Sequence, residues 1–306
     1  MDAILTSGRS SRLNQALVES GLSSGVGTYA SELIDLGWYE ISADAAPGQE
    51  IAQVDQVLQQ SLATLRQQGI TPAELERAKT QLKTSVVFSN QDITSQASQL
   101  AYSELIAGDY RYSDRYLAAI EQVTTADIQR VAQLYLDPAK RTIGFFQPTQ
   151  LDDQANASAT NSGVSRTVEN FSLGQPVDPT ELARYLPALE QSTLTSSQAL
   201  PSISRLDNGI TVLLLPDSST ATVMLDGWIE AGSAFDPTDK AGLASLTADN
   251  LMNGTTHATA LEIATRLEDQ GVSLGFGANR EGVSFSGSGL DSQLPLLLQT
   301  LAEVLQ

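Results

Sequence analysis

Ala241-Gly-Leu-Ala-Ser-Leu-Thr-Ala-Asp-Asn-Leu-Met-Asn-Gly-Thr255 is the segment around which the order of elements falls into place. It reads as a helix from Ala241 to Asn253, led in by Gly232-Ser-Ala-Phe-Asp-Pro-Thr-Asp239. Upstream, Asp207-Asn208-Gly209 is a turn signal, Ile210–Leu215 an apolar run expected as a buried strand, and Thr222–Ile229 its expected partner strand beyond the turn Pro216–Ser219. Downstream, Thr259-Ala-Leu-Glu262 is a capping box opening a short helix with Ile263 and Leu267, and Gly271 stops it. Two strands follow, Val272–Ala278 and Val283–Gly289, around Asn279-Arg-Glu-Gly282, and then a helix over Asp291–Gln306. The order strand-strand-helix-helix-strand-strand-helix is α+β.

The first part of the chain repeats this character. A helix interrupted near Gly8, with Ser10 and Ser11 as caps, carries Leu13, Leu17 and Val18 on one face. Two antiparallel strands are expected at Val26–Ala30 and Gly37–Ala43. Ile51, Val54, Val57, Leu58, Leu62 and Leu65 keep helical spacing up to the stop at Gly69. Thr71-Pro-Ala-Glu74 restarts a helix through a capping box with Pro at the first helical position. Further helices run to Gly108, over Arg111–Val123, and over Thr125–Leu136 with Thr124 and Asp127 as a capping pair. Arg141-Thr-Ile-Gly-Phe-Phe-Gln147 is expected as a closing strand before Pro148. Three regions result: 1–148, a small and polar linker or hinge at 149–204 with a helix start at Asp178-Pro-Thr-Glu181, and 205–306.

Composition narrows the function. The 41% hydrophobic and 17% charged content of 306 residues suits folded globular material, enough for about two domains. A net charge of -19 opposes nucleic acid and anionic membrane surfaces. No run approaches the ~18 apolar residues of a spanning helix, and Met1–Gly8 lacks the basic and apolar regions of a signal peptide. With no Cys and a single His, His257, neither thiolate metal sites nor paired-His chemistry can be built within one copy.

The motifs carry a resemblance. Asn208-Gly-Ile-Thr-Val, Glu230-Ala-Gly-Ser, Ala241-Gly-Leu-Ala, Asn253-Gly-Thr255, Leu267-Glu-Asp-Gln-Gly and Ser284-Phe-Ser-Gly in residues 205–306 resemble the insulinase/pitrilysin (inverzincin) family of zinc metallopeptidases. Gly8-Arg-Ser-Ser-Arg-Leu13, Gly21-Leu22, the Gly37-Trp-Tyr strand and Ile70-Thr-Pro-Ala-Glu-Leu-Glu-Arg-Ala-Lys79 are similar to the second half of a family unit over residues 1–148. The resemblance implies metallohydrolase-like α+β units, each a mostly antiparallel sheet with helices on one face. It also implies a fragment: the later half of one unit, a hinge, and the earlier half of the next.

A family zinc helix places two His and a Glu in an H-x-x-E-H pattern, so that two imidazoles hold zinc and the carboxylate activates water. The aligned positions here are Ser245, Ala248 and Asp249. Ser245 lies outside the usual ligand set, and Ala248 cannot move a proton. No catalytic, cofactor-binding or metal-binding residue is therefore assigned, and zinc is expected only in a catalytic unit outside this chain. The expected role is a structural, substrate-chamber portion of a peptidase, with the remaining units, peptide, and a second copy of the chain as partners, and no nucleic acid or membrane span. The alternative is a stand-alone, catalytically dead interaction subunit, like those of respiratory assemblies. The resemblance and the absence of Cys lean towards an exported bacterial protein.

The sharper readings lose on residue chemistry. Ser245 has neither a His in helical reach nor a nucleophile elbow. His257 reads as a solvated loop residue, Asp236, Asp239 and Asp249 as solvated or capping carboxylates, and Glu74, Glu76 and Lys79 as cap and helix-surface charges. Gly275–Gly289 lacks the Gly-Lys-Ser/Thr ending of a phosphate loop.

Overall fold

The computed structural model describes residues 1–31, 33–34, 37–147 and 200–306. The chain divides into two compact units, one made of Met1–Ile143 with Ser218–Gln306 and the other of Gly144–Asp217. Most of the expected hinge, including the helix start at Asp178–Glu181, lies outside the described residues.

In the larger unit, the first segment opens with α1 (Asp2–Leu5) and a π-helical turn at Asn14–Val18. Strand β1 (Ser23–Ala30) then pairs antiparallel with β2 (Tyr39–Ala45), setting Val26 opposite Ala43 and Thr28 opposite Ile41. Helix α2 (Ile51–Gln68) buries Val54, Leu62 and Leu65 and ends at Gly69, where φ is +70° and the N–H reaches Leu65 O at 2.9 Å. The Thr71–Glu74 capping box starts α3 (Pro72–Ser89): Glu74 N–H donates to Thr71 Oγ1 at 3.2 Å, and Thr71 N–H donates to Glu74 Oε2 at 2.7 Å. Helices α4 (Ile93–Ala107), α5 (Tyr112–Gln122) and α6 (Thr125–Tyr135) follow, the last with the expected Thr124–Asp127 box. Ile4, Leu5, Leu13, Leu17, Leu65 and Leu75 make the core of this segment, and each such side chain contributes about 1.5–3 kcal/mol by leaving water.

Two local expectations are corrected here. Ser10 and Ser11 do not cap the second helical run; the Ser11 hydroxyl donates to Gly8 O at 2.7 Å and accepts from Asn14 Nδ2 at 2.9 Å, fastening the turn that interrupts the helix. Residues 141–147 form no strand and are exposed throughout. Ile143, Phe145 and Phe146 have the propensity, but that preference is realised only against a paired strand and a packed face, and the stretch has neither among the described residues.

The described part of the smaller unit contains a hairpin of β3 (Ser202–Arg205) and β4 (Thr211–Leu214). It overturns the expected partnership: Thr211–Leu214 pairs with the strand before it, not with Thr222–Ile229, and it is not buried, since Leu213 and Leu214 are 62% and 61% exposed. The Asp207-Asn208-Gly209 turn closes the hairpin, with Leu206 N–H on Ile210 O at 2.8 Å and Gly209 at φ +89°.

The second segment of the larger unit holds a three-stranded antiparallel sheet in the order β5 (Thr222–Ile229), β7 (Val283–Leu290), β6 (Ser273–Ala278). Three helices pack against it: α7 (Leu243–Asn250), α8 (Ala260–Glu268) and α9 (Leu294–Val304). The Thr259–Glu262 capping box starts α8 as expected. Helix α7 is shorter at both ends than the Ala241–Asn253 reading; it starts late because Gly242 sits at φ +94°, outside helical space. Ile263, Leu267, Val272, Leu297 and Val304 form a second core that shares no residue with the first. The whole is α+β, with antiparallel sheets and helices packed on them. No helix of the described residues is long and apolar enough to cross a membrane.

Candidate functional site

The α7 region is framed by backbone contacts that begin where β5 ends. In Glu230-Ala-Gly-Ser233, the N–H groups of Gly232, Ser233 and Ala234 donate to the carbonyls of Glu281, Asn279 and Arg280 at 3.3, 2.9 and 2.8 Å. The two chains approach so closely that a Cβ on Gly232 would lie 2.5 Å from the Glu281 carbonyl carbon, so only glycine fits. Asn279 stiffens the receiving turn: its Oδ1 accepts from Glu281 N–H and Gly282 N–H, both at 2.8 Å. Beyond a 3-10 turn at Ser233–Phe235, Asp236 reaches the start of α7 and accepts from Gly242 N–H at 2.8 Å and Ala244 N–H at 3.0 Å. Asp236 is thus a capping carboxylate supplied from outside the helix, placed where the helix dipole favours negative charge.

On this frame, Ser245 and Asp249 lie one turn apart and exposed, while Ala248 is 2% exposed and Ala244, one turn before it, is buried as well. The helix packs against β6 and β7. A protein zinc site takes about three or four nitrogen, sulfur or carboxylate ligands. One hydroxyl, one methyl and one carboxylate do not supply that set, so the residues here do not fit a zinc ion. Among the described residues no three His, Cys, Asp or Glu side chains converge in a metal-binding group.

The remaining candidates take structural places. His257 is exposed, and its N–H donates to Thr255 Oγ1 at 3.1 Å. Thr255 also receives Ala258 N–H at 3.0 Å and donates to Glu303 at 3.1 Å, while Arg266 donates to the same carboxylate at 2.8 Å and joins α8 to α9. The Arg266 guanidinium is the main cause holding the Glu303 carboxyl below its ordinary value. A groove of about 400 Å³ elsewhere in the first segment is lined by Asp55, Gln59, Arg66, Leu136, Pro138 and Arg141, and no residue of α7 contributes to it.

Two interactions had no local signal in the sequence. Arg12, from the Gly8–Leu13 motif, donates through Nε and Nη2 to both oxygens of Glu74 at 2.6 and 2.9 Å. Burial pushes the Glu74 carboxyl up, but Arg12 together with the Thr71 cap outweighs it and brings the pKa down to about 2. Glu268, at the end of α8, reaches Arg9 and Ser10 on the other segment. Gly8, turned to φ +84°, was visible as a helix breaker, but nothing near residue 268 announced a partner 258–259 positions away.

Comparison with known proteins covers both segments. Residues 1–82 match the family model described as the peptidase M16 inactive domain, and residues 211–306 match the insulinase model of peptidase family M16. The chain is 32% identical over 132 residues to YmxG, an uncharacterised zinc protease of Bacillus subtilis, a match covering 43% of this chain and 31% of that protein. It is 34% identical over 134 residues to the uncharacterised zinc protease ML0855 of Mycobacterium leprae, covering 44% and 30%. The matches thus span about a third of the length of these curated relatives. The inactive peptidase domain solved from Bordetella parapertussis is 29% identical, with a TM-score of 0.45, covering 49% of this chain and 81% of that one.

Proposed function

As the chain belongs to the insulinase (M16) peptidase family, we propose that it serves as a non-catalytic portion of an insulinase-type peptidase, forming wall for the chamber in which peptides are cut. The observation that carries this reading is α7: its Glu230–Ser233 anchor and Asp236 cap are built, yet the zinc-helix positions hold Ser245, Ala248 and Asp249. The family is zinc-dependent, and in this reading the zinc belongs to a catalytic unit outside these residues. Sheet edges support contact with extended peptide. β5 and β6 are the edge strands of the three-stranded sheet, with no further strand beside either among the described residues, so their outer backbone groups can take an added strand.

Metal analysis of the purified chain together with a peptide-cleavage assay tests the proposal. The expected result is substoichiometric zinc and no chelator-sensitive cleavage. Zinc bound one-to-one, with cleavage abolished by a chelator and restored by zinc, overturns it.

A further inference from the structure

The larger unit is assembled from two segments with separate apolar cores, one drawn entirely from residues 1–136 and the other from residues 225–304. The hydrogen bonds described between them are densest at one turn. The Glu268 carboxylate accepts from Arg9 N–H at 2.7 Å through Oε1, and from Ser10 N–H at 3.1 Å and the Ser10 hydroxyl through Oε2. Successive backbone N–H groups around a left-handed residue make an anion-binding concavity, and Gly8 at φ +84° supplies that residue. A Cβ on Gly8 would lie 2.5 Å from the Glu268 carboxyl carbon, so a side chain there would be strained at this φ and would push the carboxylate from its place.

Neighbouring contacts share the same polarity. Arg9 Nη1 donates to Asn253 Oδ1 at 2.9 Å, Arg77 pairs with Asp269 at 3.5 Å, and Gln91 donates to Thr222 Oγ1 at 3.0 Å. Gly271, just beyond, lies under Thr84, whose Cβ would be 3.1 Å from an added methyl. The first segment contributes turn N–H groups and arginines; the second contributes consecutive carboxylates at the end of α8. Because neither core extends across this surface, the two bodies meet as docked partners, and charge-assisted hydrogen bonds select the fit.

We propose that the Gly8–Ser10 turn with the Arg77 face of α3 is a docking surface specific for a segment of the α7–α9 kind bearing a carboxylate at position 268, and that its occupant is this chain's own residues 218–306. The inference concerns assembly and is independent of the peptidase reading.

The test uses the full chain with a specific protease site inserted between Ala155 and Asn156. After complete cleavage, gel filtration and a dilution series followed by fluorescence anisotropy report whether the pieces stay together. The expected result is co-elution at the size of one intact chain. Glu268→Ala raises the dissociation constant on the order of 10- to 100-fold, the scale of lost hydrogen bonds to a charged group, and Glu268→Gln raises it by a smaller factor. The exposed control Glu281→Gln changes it less than about two-fold. Gly8→Ala also weakens association, and part of that loss disappears when it is combined with Glu268→Ala, because the methyl then has no carboxylate to strike. Pieces that separate at micromolar concentration while keeping their far-UV circular dichroism overturn the proposal. So does Glu268→Ala binding as tightly as the parent. Co-elution at twice the mass overturns the assignment of the occupant, since a second copy then supplies the segment.

Discussion

Writing an H-x-x-E-H motif into α7, as Ser245→His, Ala248→Glu and Asp249→His, would unfold the chain's second segment sooner than create a metal site. The three positions are not equivalent. Ser245 and Asp249 are exposed, so their replacement by histidine should change stability by no more than about 0.5 kcal/mol each. Ala248 is 2% exposed on a helix packed against β6 and β7. Glutamate there must first find room in a filled space, which costs about 1–3 kcal/mol. Its carboxyl must then be buried without a partner, which costs about 1–3 kcal/mol more. The expected loss of about 2–6 kcal/mol is a large fraction of the roughly 5–15 kcal/mol that holds a typical domain. Urea denaturation followed by far-UV circular dichroism, run on each single variant and on the triple, measures it; isothermal titration with zinc follows on whichever variants fold. Ala248→Glu should account for nearly all the loss. If that variant unfolds at the parent's midpoint, or the triple variant binds one zinc at full stability, the buried register of α7 argued above is wrong.

Two other outcomes follow from specific contacts. Glu74 has a folded-state pKa of about 2 against an ordinary 4.5, so its contribution is fully present above pH ~4.5 and is lost as pH falls towards 2. After allowance for screening that contribution is about 1–2 kcal/mol, and Glu74→Gln should flatten the urea midpoint over this window; equal slopes in both proteins would refute the Arg12–Glu74 assignment. Asp236→Ala removes the external cap of α7 and should lower stability by about 0.5–2 kcal/mol, with amide exchange of Gly242 and Ala244 accelerating first; unchanged protection at both amides would show that the cap carries no weight.

Local chemistry was legible wherever a few neighbouring residues settle the outcome among themselves. Thr71 with Glu74, Thr124 with Asp127, and Thr259 with Glu262 each close a capping box within four residues, and all three form as read. Gly69 and Gly271 end helices for an equally local reason, a left-handed backbone that glycine adopts without strain. The strands of the pairs β1–β2 and β6–β7 lie close together in sequence, so their register too is short-range. The reading failed where the partner was remote or missing. Arg141–Gln147 has the composition of a strand and no edge to join among the described residues, and Thr211–Leu214 took the neighbour before it instead of the one after it.

At α7 the division is sharpest. From the sequence alone it follows that Ser245, Ala248 and Asp249 cannot supply the ligands and base of an H-x-x-E-H helix, because ligand chemistry is a property of the residues themselves. Folding in three dimensions was needed to bury Ala248 on a helix packed against β6 and β7, to bring Asp236 to the helix start from outside, and to seat Glu268 on Arg9 and Ser10. Burial and long-range hydrogen bonds depend on which surfaces meet after the chain has folded, and residue spacing says nothing about a meeting across more than 250 positions.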